Sequence, residues 1–514
     1  MTEVRVWLAL LAALPACVIL ASYLPLHVEK LRRLTVASAV AMVAVTSLVF
    51  VRPPLQGMEL RTPSDWGLLG DHLYLRVDEL SSALLPFAAL LWALTVSVTP
   101  RSALDRAGLA RTSVATLLTT ACFLTVSSPV LVLVWIGSVG VFLRGMYGPE
   151  RRHARRVASA YLGVSSAFLA GGVALTAWPN GDSAVLESAG TWLIVVAALI
   201  RKGVFPFHAW VPEVFDRGRL GPAVLFSAPQ LGTYVAVILV VPRASDRMLE
   251  TIVVLALLTS VYGALLALAQ SDARRACGYL FVSQSALVMA GLGPASEEAL
   301  TGALVLWLSS GLAFAGLCRC TLVLEARRGR LDLRRHHGGY EHMPILAATF
   351  LITGLACSGF PGTLGFIGEE LLIDGAVEMF PILGYGVVLA GALTGLGILR
   401  MYFSLFCGRR ARSPRIRILP REAWTFSALA AVLVVTGLVP QPLVTSRQKA
   451  GREILIARTP QSRGDLFFYS TERPDGGLQS RVPTFSMNEP AMPGPGIPPR
   501  IPTRRNPPGV EIPR

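Results

Sequence analysis

The stretch "AALIRKGVFPFHAWVPEVF", residues 197–215, decides how the chain is read. Arg201 and Lys202 close an apolar run from Trp192 to Ile200, and Pro206, His208 and Pro212 follow directly. A charge inside hydrocarbon is costly, so ionisable residues at that depth mark ion paths, buried pairs or cavities. Proline and glycine interrupt a spanning helix, and such backbone persists at membrane depth only beside a cavity or packed protein. The rest of the chain is organised around a charged, broken membrane helix.

Composition supplies the membrane. Of 514 residues, 53% are hydrophobic and 15% charged, with mean hydropathy +0.55, whereas soluble domains carry about 25% charge. Apolar windows of about 17–25 residues, long enough to cross hydrocarbon, recur about fourteen times before residue 445. The expected fold class is an all-α polytopic membrane protein with about fourteen transmembrane helices. The first window lacks a small-residue cleavage site and is read as a retained helix, not a signal peptide.

A net charge of +15 would suggest nucleic acid if it were spread evenly. It is instead concentrated in alternate loops such as "HVEKLRR" (27–33), "PERRHARR" (149–156), "DRGR" (216–219), "DARR" (272–275) and "EARRGRLDLRR" (325–335). Basic loops stay on the cytoplasmic side. The N-terminus is then outside, and an even span number puts the C-terminal tail outside as well. The partner is the lipid bilayer and not nucleic acid. The seven Cys lie in or beside apolar segments, and "CRC" (318–320) lacks metal-ligand spacing. No metal or cofactor is expected. No phosphate-cradling loop or nucleophile–base pattern occurs either, so no enzyme active site is expected within the chain.

A second interrupted segment, "CSGFPGTLGFIGEE" (357–370), falls in the twelfth window, five after the seventh. Five helices is an odd number, so two such units run in opposite directions through the membrane, as in transporters built from inverted repeats. The expected organisation is helices one to three over residues 1–110. A first five-helix repeat covers 111–242 (helices four to eight) and a second 243–410 (helices nine to thirteen). A last helix takes 411–445, and a Pro/Arg-rich disordered tail takes 446–514.

Desolvated Lys can lose a proton and Glu can gain one, whereas Arg keeps its charge. Lys202 is therefore a candidate titrating group and Arg201 a fixed charge; the alternative is that both snorkel to the boundary. His208 either passes protons or is a satisfied polar core residue. Glu369 and Glu370 point about 100° apart on a helix, so only one can face a given path. Asp272 is expected to cap the following helix and to pair with Arg275. Arg400 completes the set of intramembrane charges.

Five motifs, in order, resemble the antiporter-like membrane subunits of complex I (NADH–quinone oxidoreductase subunits L, M and N) and their relatives in membrane-bound hydrogenases and multi-subunit cation/proton antiporters. They are "YLRVDELSSALLPF" (74–87), "FPFHAWVPE" (205–213), "YGALLALAQSDARRACGYLFVSQSALVMAGLG" (262–293), "GFPGTLGFIGEELL" (359–372) and "LRMYFSLFCG" (399–408). The resemblance implies fourteen helices and a proton path along the membrane midplane. That path would use a glutamate on helix five, lysines on helices seven and eight, polar or basic groups on helices ten and eleven, and a lysine or glutamate on helix twelve.

The chain diverges from this pattern. The helix-seven lysine position holds Arg201, with Lys202 one residue later, and the helix-five glutamate position holds Ile136. Gln230 stands near the helix-eight lysine position, and Ser310 and Phe314 occupy the helix-eleven positions. Glu369 keeps the helix-twelve position. The proton pathway implied is Arg201, Lys202, His208, Gln230, Ser310 and Glu369, with Ser309 able to hold water. The implied function is a proton-translocating subunit of a complex I-like or related assembly in the cell inner membrane, among other membrane subunits. A non-conducting anchor for a cytoplasmic peripheral subunit, as in inorganic-carbon uptake, is the alternative.

Overall fold

The computed structural model describes residues 2–51, 59–61, 73–177, 183–294, 296–377, 380–408 and 417–458. The tail beyond 458 lies outside the described residues. The first half holds α1 (Thr2–Ala21), α2 (Val28–Val51), α3 (Glu79–Val98), α4 (Arg106–Leu124), α5 (Ser128–Arg144), α6 (Arg152–Thr176) and α7 (Ser183–Lys202). Three short helices follow: α8 (Trp210–Arg217), α9 (Leu220–Ser227) and α10 (Leu231–Val235), the last running into a π turn, Ala236–Val240. Then come α11 (Asp246–Ala269), α12 (Ala273–Ala290), α13 (Glu297–Arg328), α14 (Pro344–Cys357), α15 (Leu364–Val377), α16 (Pro381–Phe406), α17 (Pro420–Leu438) and α18 (Gln441–Arg458). A two-stranded antiparallel hairpin, Glu59–Arg61 with Leu73–Arg76, precedes α3.

The chain is thus an all-α polytopic membrane protein. Among the described residues ten helices are long and apolar enough to cross a bilayer, and Trp7–Ala21, Ser128–Arg144 and Pro344–Cys357 are shorter apolar helices. Large apolar side chains such as Leu20, Leu133, Leu258, Ile382, Tyr385 and Leu438 are exposed on the outside of the bundle. Such a surface suits lipid and not water.

Caps mark where the helices begin. Asp78 and Ser81 form a capping box on α3, with Ser81 N donating to Asp78 Oδ1 at 2.7 Å and Asp78 N donating to Ser81 Oγ at 2.9 Å. Ser296 caps α13 by accepting from Ala299 N at 3.1 Å and donates to Gly375 O at 2.6 Å, fixing α13 against α15. The long α13 is buried along almost its whole length and packs against α3, α12, α14, α15 and α18. It is the axis of the bundle.

Two features differ from the sequence expectation. The disordered tail does not start at 446, because Gln441–Arg458 is helical and docks on α3 and α13. Leu443, Arg447, Ala450 and Ile454 recur at helical spacing on its inner face, a signal that a search for spanning windows passes over. Arg447 is fully buried and donates to Leu80 O at 2.9 Å and Glu79 O at 2.5 Å. Replacing it with Met removes both charged donors, although Glu79 O still accepts from Ser82 Oγ at 2.8 Å. A charged hydrogen bond is worth about 1.5–3 kcal/mol, so Arg447→Met is expected to lower the thermal midpoint and expose 441–458 to protease first.

The Asp272–Arg275 ion pair is also absent. Asp272 caps α12 by accepting from the backbone N–H groups of Arg274 (3.0 Å) and Arg275 (3.2 Å). Its ionic partner is Arg330 at 2.7 Å, while the Arg275 guanidinium turns to Asp216 at 3.7 Å. Arg275 is only three residues away on the same first turn, and the loop after α13 brings Arg330 in from outside. Burial pushes the Asp272 carboxyl above its ordinary value, opposed by those two N–H groups and the nearby arginines.

Candidate functional site

Lys202 is the last residue of α7, and the helix stops there because Gly203 turns the chain with φ +71°. The interruption runs to Trp210, and its backbone groups find partners, as they must at membrane depth. Ser285 Oγ donates to Lys202 O at 2.9 Å, Trp210 Nε1 donates to Ile200 O at 2.8 Å, and Phe205 N donates to Thr259 Oγ1 at 3.0 Å.

A second interruption separates α9 from α10. Gln230 there has φ +51°, the sole positive φ at a non-glycine among the described residues. Such a conformation is costly for a side-chain-bearing residue and clusters at functional sites. The central helix holds this turn: Trp307 Nε1 donates to Pro229 O at 3.0 Å. The turn aims Gln230 at Lys202.

Lys202 is 1% exposed, and its Nζ donates to Gln230 Oε1 at 2.5 Å and Thr233 Oγ1 at 2.6 Å. Gln230 Nε2 in turn donates to Ser310 Oγ at 3.4 Å. Three of the expected residues, Lys202, Gln230 and Ser310, therefore form one hydrogen-bonded chain. Among the described residues no carboxylate pairs with Lys202; all its partners are neutral. A Cβ on Gly232 would stand 2.7 Å from Lys202 Cγ and 3.1 Å from Ala198 O. Gly232→Ala is therefore expected to displace the lysine stem and destabilise the fold by about 1–3 kcal/mol, the usual cost of overpacking, read as a lower melting midpoint together with lost ion flux.

Arg201 points elsewhere. Its NH2 group donates to Ser138 Oγ at 2.9 Å, and its guanidinium lies between Trp135 and Phe226, 4.2 and 4.3 Å from the ring centroids. Ile136, at the position expected for the helix-five glutamate, is 45% exposed on the outside of the bundle. The helix-five residues that meet Arg201 on α7 are Ser138 and Trp135. His208 is also apart from Lys202. Its ring packs on Phe205 and Tyr262, and its Nδ1 is buried without a partner.

Glu369 is on α15, just after the third interruption, where Gly359 and Gly362 have φ +65° and +87°. It is 9% exposed while Glu370 is exposed, so only the first faces the interior. Glu369 Oε1 has no hydrogen-bond partner, and glycines 359 and 391 leave the room its carboxylate fills. Ser309 Oγ and both amide atoms of Gln284 are further buried polar atoms without partners. A Cβ on Gly365, one turn before Glu369, would approach Ser309 Oγ to 3.3 Å. Thr233, Gln284 and Ser285 were missed from sequence, although "SQS" at 283–285 inside an apolar helix is a readable signal. Phe314 packs in tilted contact with Phe215 and Phe281.

Residues 161–394, which contain every group just described except Ser138, Trp135 and Ile136, match the family described as "NADH:quinone oxidoreductase/Mrp antiporter, TM". NADH-quinone oxidoreductase subunit M of Pseudomonas aeruginosa is 30% identical over 266 residues, 49% of this chain and 52% of the relative. Subunit M of Escherichia coli is 27% identical over 264 residues, 50% and 52% of the two chains. The chain thus spans about half the length of the curated relatives it matches.

In fold the likeness extends further. A chain of respiratory complex I from Thermus thermophilus superposes with TM-score 0.79 at 22% identity, covering 88% of this chain and 99% of that one. A chain of the Mrp complex from Dietzia sp. DQ12-45-1b gives 0.78 at 17% identity, covering 91% and 99%. Over residues 161–394 the chain is similar to the transmembrane domain that the NADH:quinone oxidoreductase/Mrp antiporter family model describes.

Proposed function

We propose that the chain is a proton-translocating, antiporter-like membrane subunit working within a multi-subunit membrane assembly of the complex I or Mrp kind. The observation that carries this reading is the buried Lys202, hydrogen-bonded through Gln230 to Ser310, whose neighbour Ser309 has an unpartnered hydroxyl close to Gly365 on the helix of Glu369. Lys202 Nζ can donate to both acceptors whether charged or neutral, so the site supports either protonation state. Amide and hydroxyl groups do not relay protons at useful rates on their own, but they orient water. Buried polar atoms lacking protein partners are where internal water sits. Water on Gln230, Ser310, Ser309 and Gln284 would join Lys202 to Glu369, with Arg201 contributing a fixed field and His208 standing at a separate exit.

The three chain interruptions also support a fourteen-span, inverted-repeat arrangement, with α4 to the π turn and α11 to α16 as the two units. The basic loops then face the cytoplasm, both termini lie outside, and the membrane is the cell inner membrane. A second reading, a non-conducting anchor for a cytoplasmic subunit, has one observation in its favour. Arg201 stands where a titrating lysine is expected, and two rings and Ser138 lock it.

Proteoliposomes carrying the purified assembly separate the two. Proton uptake under an imposed membrane potential supports conduction. An assembly that forms fully but leaves the internal pH unchanged supports the anchor.

A further inference from the structure

Arg201 raises a problem that proton conduction does not solve. Its NH1 group is buried and has no hydrogen-bond partner, and among the described residues no carboxylate forms an ion pair with it. The Cys122 thiol is close by, but a neutral thiol brings no counter-charge. Stacking on Trp135 and Phe226 stabilises a cation only partly. A buried charge left uncompensated is strongly destabilising.

Arg201 lines a cavity of about 50 Å³ between α4, α5, α7 and α9. One water needs about 10–15 Å³ by the same measure, so the space fits one chloride-sized ion with a little water. Its polar wall is made of Arg111, Arg201 and Arg219 with Thr112, Thr119 and Ser138, and no carboxylate lines it. Asp105 answers two of those arginines, at 3.2 Å from each, and leaves Arg201 alone.

The cavity shares Gly108, Thr112, Arg219 and Pro222 with a larger one of about 500 Å³. That outer chamber lies among the basic loops, and five arginines (Arg151, Arg217, Arg219, Arg274 and Arg330) line it against three carboxylates, Asp105, Glu150 and Asp216. The arginines outnumber the carboxylates there, and a net positive inlet favours anions over cations.

We propose that this cavity is a binding site for a small monovalent anion, chloride or a planar oxyanion such as nitrate or bicarbonate. The anion enters from the basic face, accepts from Arg201 NH1 and supplies the missing counter-charge. The site is independent of whether Lys202 and Glu369 pass protons, and the test reads binding and not transport.

The full chain in lipid nanodiscs is melted in gluconate, which is too large for the cavity, while chloride or nitrate replaces it at constant ionic strength and pH. The midpoint is expected to rise and saturate with the small anion, as for any ligand that binds only the folded state. Chloride raising the midpoint more than nitrate indicates a spherical ion; the reverse indicates a planar one. Arg201→Met should abolish the rise, and Arg219→Gln at the inlet should shift it to several-fold higher concentration. If Arg201→Met does not fold, the Arg219→Gln titration and a bromide soak read by anomalous scattering decide, with a peak beside Arg201 expected. Superimposed melting curves in chloride, nitrate and gluconate overturn the proposal, as does an undiminished rise in Arg201→Met or bromide bound elsewhere. Water would then be the occupant.

Discussion

Lys202→Met is expected to abolish proton flux through the reconstituted assembly while leaving the assembly intact. The loss should be about 10²-fold, the scale on which a positioned proton-transfer group contributes. Met preserves the length of the buried stem, which Gly232 accommodates, and removes only the nitrogen that donates to Gln230 Oε1 and Thr233 Oγ1. Two acceptors lose a donor, at a cost of about 1–3 kcal/mol for a buried group left unsatisfied, which a bundle of this size should tolerate. Lys202→Arg should fail as badly. It keeps the charge but cannot release the proton, and its planar head does not fit the pair of acceptors. Flux in Lys202→Arg near the wild-type level would mean that charge alone is required.

Glu369→Gln is expected to be the second severe lesion, reducing flux at least about 10-fold, a barrier change of roughly 1.4 kcal/mol or more. Gln has the same shape, so the space left by glycines 359 and 391 stays filled and the melting midpoint should hardly move. Glu370→Gln is the internal control. It sits one residue on but is exposed, and its replacement should leave flux at the wild-type level. Equal losses in the two variants would indicate a general charge effect at this face of α15.

Much of this was legible in the sequence because membranes simplify the code. Apolar windows, loop charges and Pro/Gly interruptions gave the helical class and two of the three chain breaks. Residues 201–213 and 357–370 carry unusual types in apolar surroundings, so they could be found without coordinates.

What was not legible depended on geometry. The break at Gln230 has one proline and no charge, and its left-handed turn leaves little trace in residue types. Ser138 was missed because the resemblance marks only position 136 on helix five, which does not say which residue faces α7. Ser138 and Trp135, three apart, share the inner face, while Ile136 turns outward. Asp272 was paired with Arg275 on its own helical turn, but the loop after α13 brings Arg330 closer. Docking of α18 rests on a buried arginine, which composition reads as solvated charge.

The most direct test of the central claim is proton flux in proteoliposomes for the wild-type assembly, Lys202→Met, Glu369→Gln and the double variant, with assembly verified for each. If Lys202 and Glu369 lie on one path, each single variant removes nearly all the flux and the double variant is no worse than the more severe single, because groups acting as a unit are not additive. Wild-type flux in both single variants would contradict the account, and so would losses that multiply in the double variant.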